Sequence, residues 1–140
     1  MKKELTHIIL SLVAAYTIMA ESKLPFINSD FELGDLTNWV VDGTSFDRNP
    51  FPRSTDNKDQ RLYQSMQGDY CANSGVYGAY RVGSLTSTAF TITRDYLTFS
   101  IAGGVSKGTR IELLIDGEPV KDCSGIENWI LKSNYFDVRQ

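Results

Sequence analysis

Short runs of alternating apolar and polar residues follow one another along most of the chain. They begin at Trp39 and recur at residues 76–82, 85–92, 96–101, 110–115, 120–123 and 129–132, separated by Gly, Asp or Ser. Period-two alternation places successive side chains on opposite faces of a strand. About seven short strands at this spacing predict an all-β sandwich without a helix after the N-terminal segment.

The strongest turn signal lies between the runs 110–115 and 120–123. Asp116-Gly117 is a dipeptide typical of a two-residue β-hairpin turn. The apolar residues of the preceding run share one face of the predicted strand, and Arg110 and Glu112 share the other. By contrast, residues 47–67 are polar and rich in turn formers, which predicts a long surface loop that either walls a binding site or is loosely ordered.

The N-terminus has the features of a secretory signal peptide. Met1-Lys2-Lys3 gives a positive start, residues 8–19 form an apolar run too short to cross a bilayer comfortably, and Ala20-Glu21-Ser22 fits a small-x-small cleavage rule. Cleavage would leave residues 23–140 as one secreted or periplasmic domain, free of the membrane. A retained membrane anchor is the competing interpretation of residues 1–22.

Composition excludes several function classes. The one histidine, His7, lies in the predicted signal peptide, so the mature chain would lack imidazole-dependent nucleophile activation and His-ligated zinc. The net charge of −3 provides no basic field for a phosphate backbone, which disfavours nucleic acid as a partner. Neutral sugars require no such field.

Cys71 and Cys123 are the two cysteines of the chain. Export would place them where oxidation is allowed, so one intramolecular disulfide is an open alternative. The other alternative is a pair of free thiols that pack as small apolar side chains.

The stretch 28–46 carries a resemblance to a known family. Its sequence is NSDFELGDLTNWVVDGTSF, in which turn formers surround Gly34 and the rings of Phe31 and Trp39 supply two large anchors. It resembles the opening N-x-x-F-E-x-G-x-L-x-x-W, followed by G-x-x-F, of galactose-binding-like jelly-roll modules. The most similar are the sugar-binding modules attached to glycoside hydrolase family 32 enzymes such as levanases and sucrose hydrolases. Residues 67–70, 83–90, 96–104 and 108–117 look like later blocks of those modules, in the same order.

This resemblance implies a jelly-roll β-sandwich that binds carbohydrate without catalysis, as an accessory module of a hydrolase. The implied ligand is fructan or another glycan, and the implied protein partner is a catalytic hydrolase domain. The catalytic motifs of family 32 are not found, so we do not expect an enzyme. Modules of this type continue beyond a segment like residues 135–138, so we expect the sandwich to be incomplete at its C-terminus and the chain to be a fragment or a truncated product.

The resemblance also indicates where a sugar would bind. In the similar modules, charged residues on the strand 110–115 and the G-x-x-F segment lie near the ligand. The candidate ligand-binding residues are Asp42, Phe46, Asp69, Tyr70, Arg110 and Glu112. Arg110 is a donor fork and Glu112 a pure acceptor, so together they suit adjacent hydroxyl groups. The alternatives are a solvated ion pair for Arg110 and Glu112, and a core-edge aromatic for Tyr70.

Asp30, Glu32 and Asp35 form an acidic cluster that suggests a structural calcium ion, which similar sandwiches carry near this point. The alternative is that Asp30 and Asp35 cap turns while Glu32 lies at the surface. No other cofactor is expected.

Two further interpretations compete with carbohydrate binding. The chain is an adhesion or structural sandwich that contacts another protein, or it is a degraded reading frame that does not fold. A cooperative thermal transition would exclude the second of these.

Overall fold

The structure is a computed structural model that describes residues 24–53, 60–75, 78 and 80–139. The predicted signal peptide, residues 1–22, lies outside the described residues, as do residues 76, 77 and 79 of the predicted run 76–82. Strands predominate in the described ranges. They are β1 Trp39–Gly43, β2 Phe51–Pro52, β3 Tyr70–Cys71, β4 Gly83–Ser87, β5 Tyr96–Gly103, β6 Arg110–Ile115, β7 Glu118–Ser124 and β8 Asn128–Asp137, with one short helix, α1 Gln60–Ser65.

The strands of the described chain pair as four two-stranded antiparallel sheets, β1–β4, β2–β3, β5–β8 and β6–β7. The order is nested, because β1 and β4 enclose β2 and β3 in sequence, and β5 and β8 enclose β6 and β7. The predicted all-β class is therefore confirmed at the level of small antiparallel sheets.

The predicted hairpin between β6 and β7 is present. Ile115 pairs with Glu118 across a two-residue turn, and φ is positive at both Asp116 (52°) and Gly117 (85°). Positive φ at both central positions is the requirement of a type I′ turn. A register shift between Leu113 and Leu114 interrupts the ladder, so that Leu113 is buried while Ile115 remains 44% exposed. The bulge breaks the alternation that the sequence predicted for this strand.

Helix α1 lies within the segment that the sequence predicted to be a loop. Leu62 within the helix and Met66 directly after its end are both buried. The Ser65 hydroxyl donates to the Leu62 carbonyl at 2.8 Å and accepts the Leu131 N–H of β8 at 2.9 Å. So short a helix is marginal by itself, and its contact with β8 stabilises it.

The core of the described chain is small. The buried apolar side chains are Leu62, Met66, Leu113 and Phe136. On the inner face of the β5–β8 ribbon, Phe136 packs on Phe99 with ring centroids 4.8 Å apart. The ribbon thus buries one face, and its alternate residues point away from the core.

The segment before β1 is organised around the side chain of Asn28, which is only 2% exposed. Its Nδ2 donates to the carbonyls of Asp35 at 2.9 Å and Thr37 at 3.1 Å, and its Oδ1 accepts the Leu33 N–H at 3.1 Å. The Asn28 carbonyl accepts the indole N–H of Trp39 at 2.9 Å. The buried amide of Asn28 thus has partners for both its nitrogen and its oxygen, and it links the backbone of three exposed residues, Leu33, Asp35 and Thr37.

Aromatic rings cover this turn. Trp39 stacks on Phe31, with centroids 4.8 Å apart and an interplanar angle of 21°, and meets the edge of Phe26 at 5.3 Å. Phe26 in turn contacts Phe90, which follows β4, at 5.2 Å. Trp39 thus packs within the fold.

Replacing Asn28 by Ala should lower the free energy of unfolding by about 2–4 kcal/mol, because the three part-buried hydrogen bonds of its side chain are lost. Urea denaturation of the purified protein measures this change. Asn38→Ala is a matched control, since φ is 66° at Asn28 and 68° at Asn38, while the Asn38 side chain makes one exposed bond to the Ile27 carbonyl. Equal losses in the two variants would show that backbone strain, and not the buried amide, is responsible.

Candidate functional site

The six predicted ligand-binding residues fall into three separate places. Asp42 lies on β1 with Phe46 shortly after it, Asp69 and Tyr70 lie at the start of β3, and Arg110 and Glu112 lie on β6. Among the described residues, no hydrogen bond or ion pair joins one of these groups to another. Each group is therefore a candidate contact in its own right.

Arg110 and Glu112 contact each other. The Glu112 Oε1 atom accepts from Arg110 Nη2 at 2.6 Å and from Nε at 2.7 Å, and Arg110 Nη1 also donates to the Lys107 carbonyl. Both residues are exposed on one side of β6, as alternation predicted. An exposed pair of this kind adds little stability. It nevertheless holds a guanidinium and a carboxylate in a fixed arrangement at the surface.

The segment with Asp42 and Phe46 forms a tight turn after β1. Asp42 is exposed and pairs with Ser84 of β4, and Phe46 is half-buried. Gly43 has φ of 76°, and a Cβ atom at this position would collide with the Val82 carbonyl, which accepts the Thr44 N–H at 2.9 Å. The glycine of the G-x-x-F pattern is thus required by the close approach of two chain segments.

Glu32 connects the opening segment to β3. Both of its carboxylate oxygens accept the Asp69 N–H at 3.0 Å, and Oε1 also accepts the Tyr70 N–H at 3.1 Å. The carboxylate approaches Gly68 so closely that a Cβ atom there would collide with it. Glu32 lies at the surface, where its carboxylate accepts hydrogen bonds from the backbone of the turn before β3. Neither the calcium hypothesis nor its alternative included this contact.

The backbone of the same turn is held from its other side by Arg53, which the sequence did not single out. Arg53 Nε and Nη2 donate to the Gly68 carbonyl at 2.9 and 2.7 Å, and the Arg53 N–H donates to the Asp69 carbonyl at 2.7 Å. Arg53 follows Pro50-Phe51-Pro52 and belongs to no recognisable motif, so this contact could not be predicted from the sequence.

Tyr70 packs at the edge of the opening segment. The ring is half-buried against Gly34, whose φ is 72° and whose absent Cβ would lie 3.0 Å from Tyr70 Cζ. Gly34 therefore serves both a left-handed turn and a close ring contact. Asp69 is exposed beside it.

The acidic residues of the calcium hypothesis have separate backbone partners. Asp30 Oδ1 accepts the Glu32 N–H at 3.3 Å, and Asp35 Oδ1 accepts the Thr37 N–H at 2.8 Å, as in turns closed by an Asx side chain. Within the described ranges, no group of three or more His, Cys, Asp or Glu side chains could hold a metal ion. Calcium binding stays a hypothesis.

Cys71 on β3 and Cys123 on β7 are both free thiols. The Cys123 Sγ atom accepts a hydrogen bond from Asn134 Nδ2 at 3.1 Å. Burial raises the pKa of the Cys71 thiol from 9.0 to about 11. A raised pKa keeps the thiol protonated near neutral pH and slows its oxidation.

No helix in the described part of the chain is long and apolar enough to cross a membrane. Comparison of the sequence with protein-family models and with curated proteins, and of the structure with solved structures, finds no match.

Glu32→Gln should lower the free energy of unfolding by about 1–3 kcal/mol, because a neutral amide accepts the Asp69 and Tyr70 N–H groups less strongly than a carboxylate does. Glu112→Gln is the control, with an expected change within about 0.5 kcal/mol, since its partner is an exposed arginine. Chemical denaturation with and without calcium measures both variants. Calcium stabilisation of the wild type that Glu32→Gln abolishes would instead favour the metal hypothesis.

Iodoacetamide should alkylate Cys71 more slowly than Cys123 in the folded protein at mildly alkaline pH, because the burial that raises the Cys71 pKa lowers its thiolate fraction. Peptide mapping by mass spectrometry resolves the two sites. In denaturant the difference should disappear. Faster labelling of Cys71 in the native protein would contradict its half-buried placement.

Proposed function

We propose that this chain is an exported, non-catalytic carbohydrate-binding module of jelly-roll type, which binds fructan or another glycan as an accessory to a glycoside hydrolase. The observation that best supports the proposal is the nested strand pairing. In each of the two four-strand sets the first strand pairs with the fourth and the second with the third, which are two of the three pairings of a Greek key. The third pairing, of the first strand with the second, is absent among the described strands, so the nesting agrees with a jelly roll built from two Greek keys only in part.

The contacts of the opening motif also support the proposal. Asn28 satisfies the turn, Phe31 and Trp39 stack, Glu32 binds the segment before β3, and Gly34 receives the Tyr70 ring. Five residues of the pattern shared with the sugar-binding modules thus have a defined structural task. A shared motif that organises the opening turn favours a shared architecture.

The surface chemistry suits a neutral polyol. Arg110 and Glu112 present a donor fork and an acceptor on an exposed strand, and their charges compensate each other. Sugar hydroxyls can engage the remaining N–H groups of Arg110 and the second oxygen of Glu112. A site with so few contacts has weak affinity, and it acts by holding an attached enzyme near its substrate.

The second candidate function is that of a structural or adhesion domain that contacts another protein. Val40 of β1 and Val82, just before its partner strand β4, are 62% and 82% exposed, and a protein contact on this ribbon would bury them. This function would require no sugar site.

The double variant Arg110→Ala and Glu112→Gln should weaken binding to levan or inulin at least about tenfold, because a bidentate charged contact contributes on the order of 1.5–3 kcal/mol. Isothermal titration of the purified domain measures the loss.

Arg94→Ala with Asp116→Asn is the matched control, since it removes one exposed cation and one exposed carboxylate elsewhere in the described chain. Absence of heat with levan, inulin, sucrose and a panel of plant polysaccharides would rule out the carbohydrate hypothesis. Association with a protein partner that survives the double variant would favour the structural domain.

A further inference from the structure

The outer face of the β5–β8 ribbon presents tyrosine rings and hydroxyl groups that have no part in the proposed Arg110 and Glu112 contact. Residues paired across antiparallel strands share a face, and the face away from the core contains Tyr96, Thr98 and Ser100 of β5 with Ser133, Tyr135 and Asp137 of β8. The opposite face contains the buried Phe136 and its neighbour Phe99. Hydroxyl groups and aromatic rings therefore line this part of the face as an open strip, and the alternation of β8 continues the face toward Leu131 and Trp129.

Two tyrosines form the centre of this strip. The Tyr96 and Tyr135 rings lie 5.3 Å apart at an interplanar angle of 89°, and their exposed fractions are 44% and 58%. The perpendicular contact restricts the rotamers of both side chains while the rings remain accessible. A rigid, exposed ring offers contact area at low cost in conformational entropy.

An ion pair fixes the end of the strip. Arg139 Nε lies 3.0 Å from Asp137 Oδ1, Nη2 lies 2.5 Å from Oδ2, and the guanidinium stands 5.3 Å from the Tyr96 ring centroid. Hydrogen bonds from Arg139 lower the pKa of Asp137 to about 2, with a weaker effect of Lys121, so the carboxylate is ionised at neutral pH. These contacts use Nε and Nη2, which leaves Nη1 as a donor for a ligand.

We propose that this strip, centred on Tyr135, binds an internal segment of a neutral polysaccharide along the ribbon. From Tyr96 to Ser100 the strip extends about 14 Å, which is longer than one sugar ring. Tyr135 contacts the apolar C–H face of a sugar ring, and Arg139, Asp137 and the Ser and Thr hydroxyls bind its hydroxyl groups. The inference rests on the proposed carbohydrate binding and adds a chain-binding face that is separate from Arg110 and Glu112.

The chemistry of the strip favours this occupant over a protein or a charged polymer. The charges of Asp137 and Arg139 compensate each other and Lys121 adds one cation nearby, so the strip offers only a weak field for a charged polymer. Between Tyr96 and Ser133 the strip mixes rings with hydroxyl groups, unlike the more apolar core of a protein interface. Rings beside compensated polar groups match a ligand that is uncharged, rich in hydroxyls and apolar on its ring faces.

Affinity electrophoresis in gels that contain levan, inulin or xyloglucan tests the inference. Wild-type protein should be retarded by at least one polymer, and Tyr135→Ala should weaken that binding about tenfold, as expected for loss of one stacked ring. Tyr135→Phe should retain binding, because the ring remains. Arg139→Ala, a second variant away from the ring, should weaken binding without a change in thermal stability.

Tyr80→Ala is the matched control, because Tyr80 is 97% exposed and lies outside the strip. Free fructose should not displace a polymer from an open strip, whereas an oligosaccharide should.

Retardation that survives Tyr135→Ala and Arg139→Ala but is lost in the Arg110 and Glu112 double variant would overturn the inference and leave the proposed function intact. Wild-type protein that no polymer retards would overturn both. If Tyr135→Ala lowers the sedimentation coefficient of the protein in the absence of polysaccharide, the strip mediates self-association, and the inference is overturned.

Discussion

The buried side-chain amide of Asn28 is the contact on which the N-terminal half of the described structure depends. It supplies donors to two carbonyls and an acceptor to one N–H group in a turn that has no regular secondary structure of its own. Trp39 stacks on Phe31 over the closed turn, and the Glu32 carboxylate extends from the same turn to the backbone before β3. Hydrogen bonding inside the turn and aromatic packing on it therefore support each other.

The rest of the described chain is built from ribbons of two strands each, and this explains both its small core and its accessible surface. An isolated two-stranded ribbon is marginal in water and needs a packed face. The β5–β8 ribbon obtains one through Phe99 and Phe136, and through the contact of Ser65 in α1 with β8. Its outer face is consequently free to present Tyr96 and Tyr135 to a ligand.

The two surfaces considered for carbohydrate binding differ in how they are organised. Arg110 and Glu112 form an ion pair on a hairpin, whereas Tyr135 lies in a strip where its ring meets that of Tyr96 and an ion pair stands beside them. A ring restricted by its neighbour loses less entropy when a ligand binds. A module with both surfaces would combine one contact for individual hydroxyls with one for the length of a polymer.

The sequence by itself determined where β5, β6 and β7 lie, the Asp116-Gly117 turn and the shared side of Arg110 and Glu112, because period-two alternation and turn chemistry are local properties. It predicted the last strand only at residues 129–132, whereas β8 extends from Asn128 to Asp137. Only the tertiary structure decided the tasks of Glu32 and Arg53, the helix α1 and the Tyr96–Tyr135 contact. These features depend on segments that are far apart in the chain and meet in space. A local sequence pattern likewise does not predict the bulge in β6 or the hydrogen-bond partners of the buried Asn28 amide.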